Sequence, residues 1–139
     1  MRLDRRGFLT QSMLVAAAAA LAACGAGGFE SITAPASINS TVNLSSYPAL
    51  ATVGGIALTS INGAALALVR TGATSFVALS RACPHEGTTL GTNSSGGFTC
   101  PRHGARFNDS GTWIGGQRTT GMHSYPVTYD ATAGTLAIG

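Results

Sequence analysis

Cys83-Pro84-His85-Glu86-Gly87 and Cys100-Pro101-Arg102-His103-Gly104 are the two stretches from which the rest of this chain can be read. Fourteen residues separate His85 from Cys100, and the two stretches hold two of the three cysteines and two of the three histidines. Each supplies one thiol and one imidazole, and each ends on a glycine that permits a tight turn. Thiolates and neutral imidazoles are metal ligands, so Cys83, His85, Cys100 and His103 form a four-ligand candidate site.

Two occupants suit such a set. A two-iron, two-sulfur (2Fe–2S) cluster takes it when one iron binds both sulfurs and the other both nitrogens. A structural zinc is also satisfied by two cysteines and two histidines, although zinc ligand pairs are usually separated by two or more residues. Between Cys83 and His85 there is one. Pro84 and Pro101 pre-set the backbone after each cysteine, and the glycine turns aim backbone N–H groups at sulfur.

Charge is sparse over the 139 residues: eight arginines, no lysine and five acids. Three arginines fall within the first six residues, and from Cys24 onward five arginines face four acids, a net charge of +1. The basicity belongs to the beginning of the chain and does not point to nucleic acid as a partner. Nineteen glycines, with many Thr, Ser and β-branched residues, favour a loop-rich all-β domain with a small core.

Arg2 to Arg6 form a positive region ahead of an apolar run, Met13 to Ala23. Eleven residues fall short of the about 20 needed to span a bilayer core, so residues 1–23 read as a signal peptide. Asp4-Arg5-Arg6-Gly7-Phe8-Leu9 resembles the twin-arginine export motif, with Arg5 and Arg6 as its pair. Leu21-Ala22-Ala23-Cys24 resembles a lipobox, with lipid expected on Cys24. An ordinary signal with a chance arginine pair, or an uncleaved anchor helix, are the competing accounts. The twin-arginine route carries folded proteins, which suits a cluster inserted before export. With Cys24 lipidated, no structural disulfide remains for an oxidising compartment, and metal ligation uses both other thiols. The expected location is the periplasmic side of a bacterial cell envelope.

Residues 24–40 carry Gly, Ala and Ser without periodicity and are predicted to be a flexible tether, about 15 residues of which span roughly 20 Å. The domain proper is placed at 41–139. Strands are predicted over Thr41–Leu44, Ile56–Thr59, Ala65–Arg70, Ser75–Ser80, Gly97–Thr99, Thr112–Ile114, Ser124–Tyr129 and Thr135–Ile138. Asn62-Gly63, Thr71-Gly72 and Asp130–Gly134 mark turns. Ala64 to Val69 is apolar throughout, which fits a strand covered on both faces or, less well, a buried helix fragment. A glycine-rich cluster-bearing subdomain, about 81–109, is inserted in this β base. No internal repeat is evident.

The spacing C-x-H-x14-C-x-x-H, with Phe76-Val77-Ala78-Leu79-Ser80-Arg81-Ala82 before it, Gly97-Phe98-Thr99 before the second cysteine and Ser124-Tyr125-Pro126-Val127 closing, resembles the Rieske iron–sulfur proteins. The resemblance covers roughly Thr41 to Ile138. It implies the Rieske fold of small antiparallel sheets, one 2Fe–2S cluster on Cys83, His85, Cys100 and His103, and one-electron transfer with both histidines at the exit edge. Respiratory members carry a disulfide-forming cysteine in each loop, where this chain has Thr88 and Arg102. They also carry a Ser and a Tyr that donate to sulfur, where this chain has Ala105 and Phe107. The expectation is a potential toward the lower end of the Rieske range, closer to the ferredoxins of aromatic-ring dioxygenases. That range is about −150 to +300 mV.

The implied partners are a redox donor and acceptor, a cytochrome or an oxidoreductase subunit, with no small-molecule substrate and no catalytic residue of the chain's own. The alternative is an electron-transfer subunit of a larger periplasmic oxidoreductase, arsenite-oxidase-like or of a cytochrome bc-type complex. A Rieske oxygenase is excluded, because the chain is short and offers only His123 as a further histidine. His123 is expected at the surface and Trp113 in base-domain packing. Arg102 and Arg106 are expected either to steer an acidic partner or to pair with Glu86 or Asp109.

Overall fold

Every residue from Leu66 to Val69 is fully buried, and this run is the middle of a strand rather than a helix. The structure, a computed structural model, describes residues 30–139. The expected signal, the twin-arginine pair Arg5 and Arg6, and Cys24 lie outside the described residues. In chain order the strands are β1 (Ser40–Asn43), β2 (Ile56–Ile61), β3 (Ala64–Arg70), β4 (Phe76–Ser80), β5 (Gly91–Thr92) and β6 (Phe98–Thr99). They continue as β7 (Arg106–Phe107), β8 (Trp113–Gly115), β9 (Ser124–Tyr125), β10 (Val127–Asp130) and β11 (Thr135–Ile138). Three antiparallel sheets result, ordered β1-β11-β10, β2-β3-β4-β9 and β5-β6-β7-β8. The all-β architecture of small antiparallel sheets expected from the sequence is the one observed.

Strand β3 explains why a continuous apolar run is needed. Successive side chains on a strand point to opposite faces. Leu66 and Leu68 enter one core with Ile38, Leu50, Leu136 and Ile138. Ala67 and Val69 enter a second core with Leu79, Leu90, Phe98, Phe107 and both cysteines. Strand β4 repeats the division, Ala78 to the first core and Leu79 to the second. The central sheet is therefore a wall shared by two cores, and each fully buried leucine in it contributes about 1.5–3 kcal/mol.

Turn chemistry sets the register of this wall. Asn62 at φ 51 and Gly63 at φ 79 form the two-residue hairpin that pairs Ile61 with Ala64. The predicted Thr71-Gly72 turn is a longer loop, organised by the Arg70 guanidinium. Arg70 Nη1 donates to Ala51 O at 2.9 Å, Nη2 to Ala73 O at 2.6 Å and Nε to Gly72 O at 3.2 Å. The single strand predicted over Ser124–Tyr129 is divided at Pro126, with β9 joining β4 and β10 joining β11. Two 3-10 turns, Leu44–Ser46 and Pro48–Ala51, follow β1 and were not foreseen.

The described part of the expected tether, residues 30–39, is docked rather than free. The Ile32 N–H donates to Gly87 O at 2.8 Å and the Ile38 N–H to Gly139 O at 2.9 Å. The Ser31 hydroxyl donates to Glu86 O, the Tyr125 hydroxyl to Pro35 O at 2.9 Å, and Ile38 is buried in the first core. Two isoleucines among polar and small residues carry no periodicity, so this docking left no pattern to read.

Tyr125 is 4 % exposed, and burial pushes its phenol above the ordinary tyrosine value, outweighing the Ser80 hydroxyl beside it. A raised pKa in the folded state means the native chain favours the neutral phenol. The stability it contributes is complete below about pH 10 and is lost as pH rises through the shifted value. Thermal unfolding of the Tyr125→Phe variant should show a loss of about 1 kcal/mol near neutrality. The variant's midpoint should also fall less than the native one between about pH 9 and 11. Equal alkaline slopes for the two proteins would refute this account.

Candidate metal centre

Two loops of the same backbone design carry the four candidate ligands. The first, between β4 and β5, contains Cys83-Pro84-His85-Glu86-Gly87-Thr88; the second, between β6 and β7, is Cys100-Pro101-Arg102-His103-Gly104-Ala105. In the first, the Cys83 N–H donates to Thr88 O at 2.9 Å and the Gly87 N–H to Cys83 O at 2.7 Å. In the second, the Cys100 N–H donates to Ala105 O at 2.8 Å and the Gly104 N–H to Cys100 O at 2.9 Å. Gly87 and Gly104 have φ of 74 and 76, a region that L side chains rarely adopt. The chain therefore does contain a short internal repeat, Cys-Pro-x-x-Gly. It escapes the eye because the histidine stands third in one copy and fourth in the other.

The repeated turns bring the thiols together. Cys83 and Cys100 are each 2 % exposed, carry no disulfide, and belong to the second core with Leu90, Phe98, Ala105 and Phe107. Burial pushes the Cys83 thiol above its ordinary value, and the adjacent Cys100 side chain adds to the rise. The backbone N–H groups of His85 and Glu86 lie beside the Cys83 sulfur and pull the other way, which suits a thiolate. A bound metal's positive charge is what makes both sulfurs anionic together.

The imidazoles lie toward the surface. The rings of His85 and His103 are edge to face with centroids 5.0 Å apart; His85 is half-buried and His103 exposed. His85 Nδ1 is buried and has no hydrogen-bond partner, as a nitrogen reserved for a metal would be. Glu86 links the two loops: its Oε2 is 3.1 Å from Arg102 Nε and 3.9 Å from His103 Nδ1. Ligand-type atoms of His85, Glu86 and His103 all lie within 4.8 Å of one another. Sequence reasoning missed this carboxylate's place beside the histidines, because its position depends on pairing with a residue of the other loop. Paired buried thiols, an orphaned imidazole nitrogen and a second ring beside it fit a 2Fe–2S cluster with sulfur ligands inside and nitrogen ligands outside.

The remaining expectations divide. Arg102 pairs with Glu86. Arg106 and Asp109 form no ion pair among the described residues. His123 is exposed and stacks edge-on against Tyr125 at 4.7 Å, at the surface as expected. Trp113 packs on the second, cysteine-bearing core rather than in the base, with its indole N–H donating to Gln117 O at 2.9 Å. The subdomain boundary predicted near 109 moves outward, since β8 completes the cluster-side sheet at Gly115. Two-residue strands β5 and β7 went unseen because two residues show no period.

Gly116 buttresses the second loop. It has φ +73, and a Cβ there would lie 1.8 Å from Gly104 O. Gly116→Ala must displace the loop or strain the backbone, at about 1–3 kcal/mol. The expected result is a lower melting temperature together with a lower iron content per chain; full iron content at native stability would refute the buttressing role.

Comparison with known proteins agrees with this geometry. The family profile described as the Rieske [2Fe-2S] domain matches residues 50–126, more than half of the chain. Among solved structures, the cyanobacterial plasma membrane Rieske protein PetC3 of Synechocystis superposes with a TM-score of 0.54 at 18 % identity, over 76 % of this chain and 99 % of that one. The ferredoxin of carbazole 1,9a-dioxygenase from Nocardioides aromaticivorans gives 0.50 at 21 % identity, over 77 % and 98 %. At these identities the likeness shows the fold alone. A sequence comparison with curated proteins finds no match. By its domain match, and with a fold and a buried thiol–imidazole site that suit it, the chain belongs to the Rieske family, whose domain binds a 2Fe–2S cluster.

Proposed function

We propose that this chain is a one-electron carrier in which Cys83 and Cys100 hold one iron of the cluster and His85 and His103 the other. The observation that carries the proposal is the gradient of burial across the site: both thiols are 2 % exposed while His103 is open to solvent. When bound, the cluster accepts and returns a single electron. The chain's own residues keep water from the sulfurs, hold the loops together through Glu86 and Arg102, and leave the imidazole edge accessible to a redox protein. The two compared structures are covered almost to their full length, which supports a self-sufficient small domain.

The potential proposed is in the lower part of the Rieske range. Ala105 and Phe107, 1 % and 0 % exposed, offer the cluster no hydroxyl, and hydrogen bonds to sulfur are what raise the potential. An EPR-monitored titration of the purified protein is expected to show a reduced Rieske-type signal with its midpoint in the lower half of about −150 to +300 mV. Cys100→Ser should abolish both signal and bound iron. A colourless, EPR-silent protein that retains zinc would overturn the assignment, and a midpoint near the top of the range would overturn the placement.

Export by the twin-arginine route and lipid on Cys24 complete the proposal, supported by Asp4-Arg5-Arg6-Gly7-Phe8-Leu9 and Leu21-Ala22-Ala23-Cys24. Because the docked segment begins by Ser31, the seven peptide steps from Cys24 to Ser31 reach at most about 25 Å. The domain is thus held close to the envelope membrane, within range of a membrane-bound cytochrome or oxidoreductase. In a bacterial host, Cys24→Ser should move the protein from the membrane to the soluble envelope fraction and abolish labelling by a fatty-acid precursor. Unchanged fractionation and labelling would refute the anchor.

A further inference from the structure

Among the described residues, two buried side-chain polar atoms lack a hydrogen-bond partner: His85 Nδ1 and Thr88 Oγ1. Both belong to the first ligand loop, three residues apart. Leaving a buried hydroxyl unsatisfied costs about 1–3 kcal/mol, and a native structure holds such groups where something outside the chain completes them. His85 Nδ1 is completed by iron, on the proposal above. Thr88 Oγ1 needs a different partner, because a hydroxyl donates a proton where an imidazole nitrogen donates a lone pair.

The acceptor can be argued from the loop design. Thr88 stands five residues after Cys83, as Ala105 stands five residues after Cys100. Each follows a glycine in the same left-handed conformation, and each carbonyl accepts from its own cysteine's N–H. Ala105 is 1 % exposed in the core that contains both cysteines, and Thr88 is 2 % exposed. In the same loop Gly87 O accepts from Ile32, Cys83 O from Gly87 and Thr88 O from Cys83, and Thr88 Oγ1 donates to none of them. Anionic sulfur of a loaded centre is an acceptor suited to a buried hydroxyl in a ligand loop.

We propose that Thr88 Oγ1 donates a hydrogen bond to sulfur of the bound cluster or its thiolates, which makes Thr88 a positioning residue that sets the reduction potential. The inference rests on the cluster assignment made above. Reduction adds negative charge to the cluster and strengthens a bond donated to its sulfur, so the hydroxyl favours the reduced state. A threonine that merely filled volume would be replaced by valine without electronic consequence.

The test uses the full chain with its cluster, comparing native protein with Thr88→Val, which keeps the shape and removes the hydroxyl, and Thr88→Ser, which keeps the hydroxyl. Thr88→Val is expected to bind iron as native protein does and to lower the equilibrium constant for reduction about tenfold, a downward shift of about 59 mV for one electron. Thr88→Ser should stay near the native midpoint. Resonance Raman bands of the iron–sulfur modes should shift less in D2O for Thr88→Val than for the other two. The metal-free Thr88→Val chain should also melt above the metal-free native chain, because its unsatisfied hydroxyl is gone. An unchanged midpoint and unchanged deuterium sensitivity in an iron-replete Thr88→Val protein would overturn the proposal while leaving the cluster assignment intact. Should Thr88→Val bind no iron, Thr88→Ala takes its place, with a native midpoint again the overturning result. A native protein without a Rieske-type signal overturns both.

Discussion

A pair of backbone hydrogen bonds, made once in each ligand loop, is the interaction on which the site depends. The cysteine N–H reaches forward to the carbonyl five residues on, and the glycine N–H reaches back to the cysteine carbonyl. These bonds curl each loop so tightly that two thiols meet in a space closed to water. The chemistry of the centre follows from the difference between the loops, whose histidines stand at different steps of an identical turn.

The central sheet gives those turns something rigid to stand on. Because β3 and β4 send alternate residues to two cores, the base and the cluster-side half are not separate bodies joined by a hinge. Leu68 and Val69 are neighbours in sequence yet serve opposite halves of the molecule. A loss of packing in the base is therefore felt at the thiols through the shared wall. The docked N-terminal segment adds a second connection, since Ile32 holds the first ligand loop while Ile38 holds the end of β11 through Gly139.

Much of this was legible in the sequence. The ligand residues stood out because Cys and His are few and their spacing is tight. The larger strands were visible through β-branched runs bounded by turn residues, and Asn62-Gly63 specified its hairpin outright. What remained hidden was held by tertiary contacts. Of the two roles open to Arg102, contact between the loops selected pairing with Glu86, Arg70 reaches carbonyls across the β2–β3 hairpin, and Trp113 chose its core by the position of a short strand. Pro126 could have been read as the division of the last long strand, since a residue without an N–H interrupts a ladder.

Gly87 and Gly104 look interchangeable in conformation but differ in their tolerance of change. A Cβ at 104 would meet nothing within 4 Å, whereas at 87 it would lie 2.4 Å from Ile32 O. The Cβ of asparagine, which accepts a left-handed backbone better than other side chains, thus has space at 104 and none at 87. The restriction on the second loop falls instead on Gly116, whose missing side chain leaves space for Gly104 O. Two loops built alike have in this way acquired different mutational freedom, one set by the segment that leads into the domain and the other by the turn that leaves the cluster-side sheet.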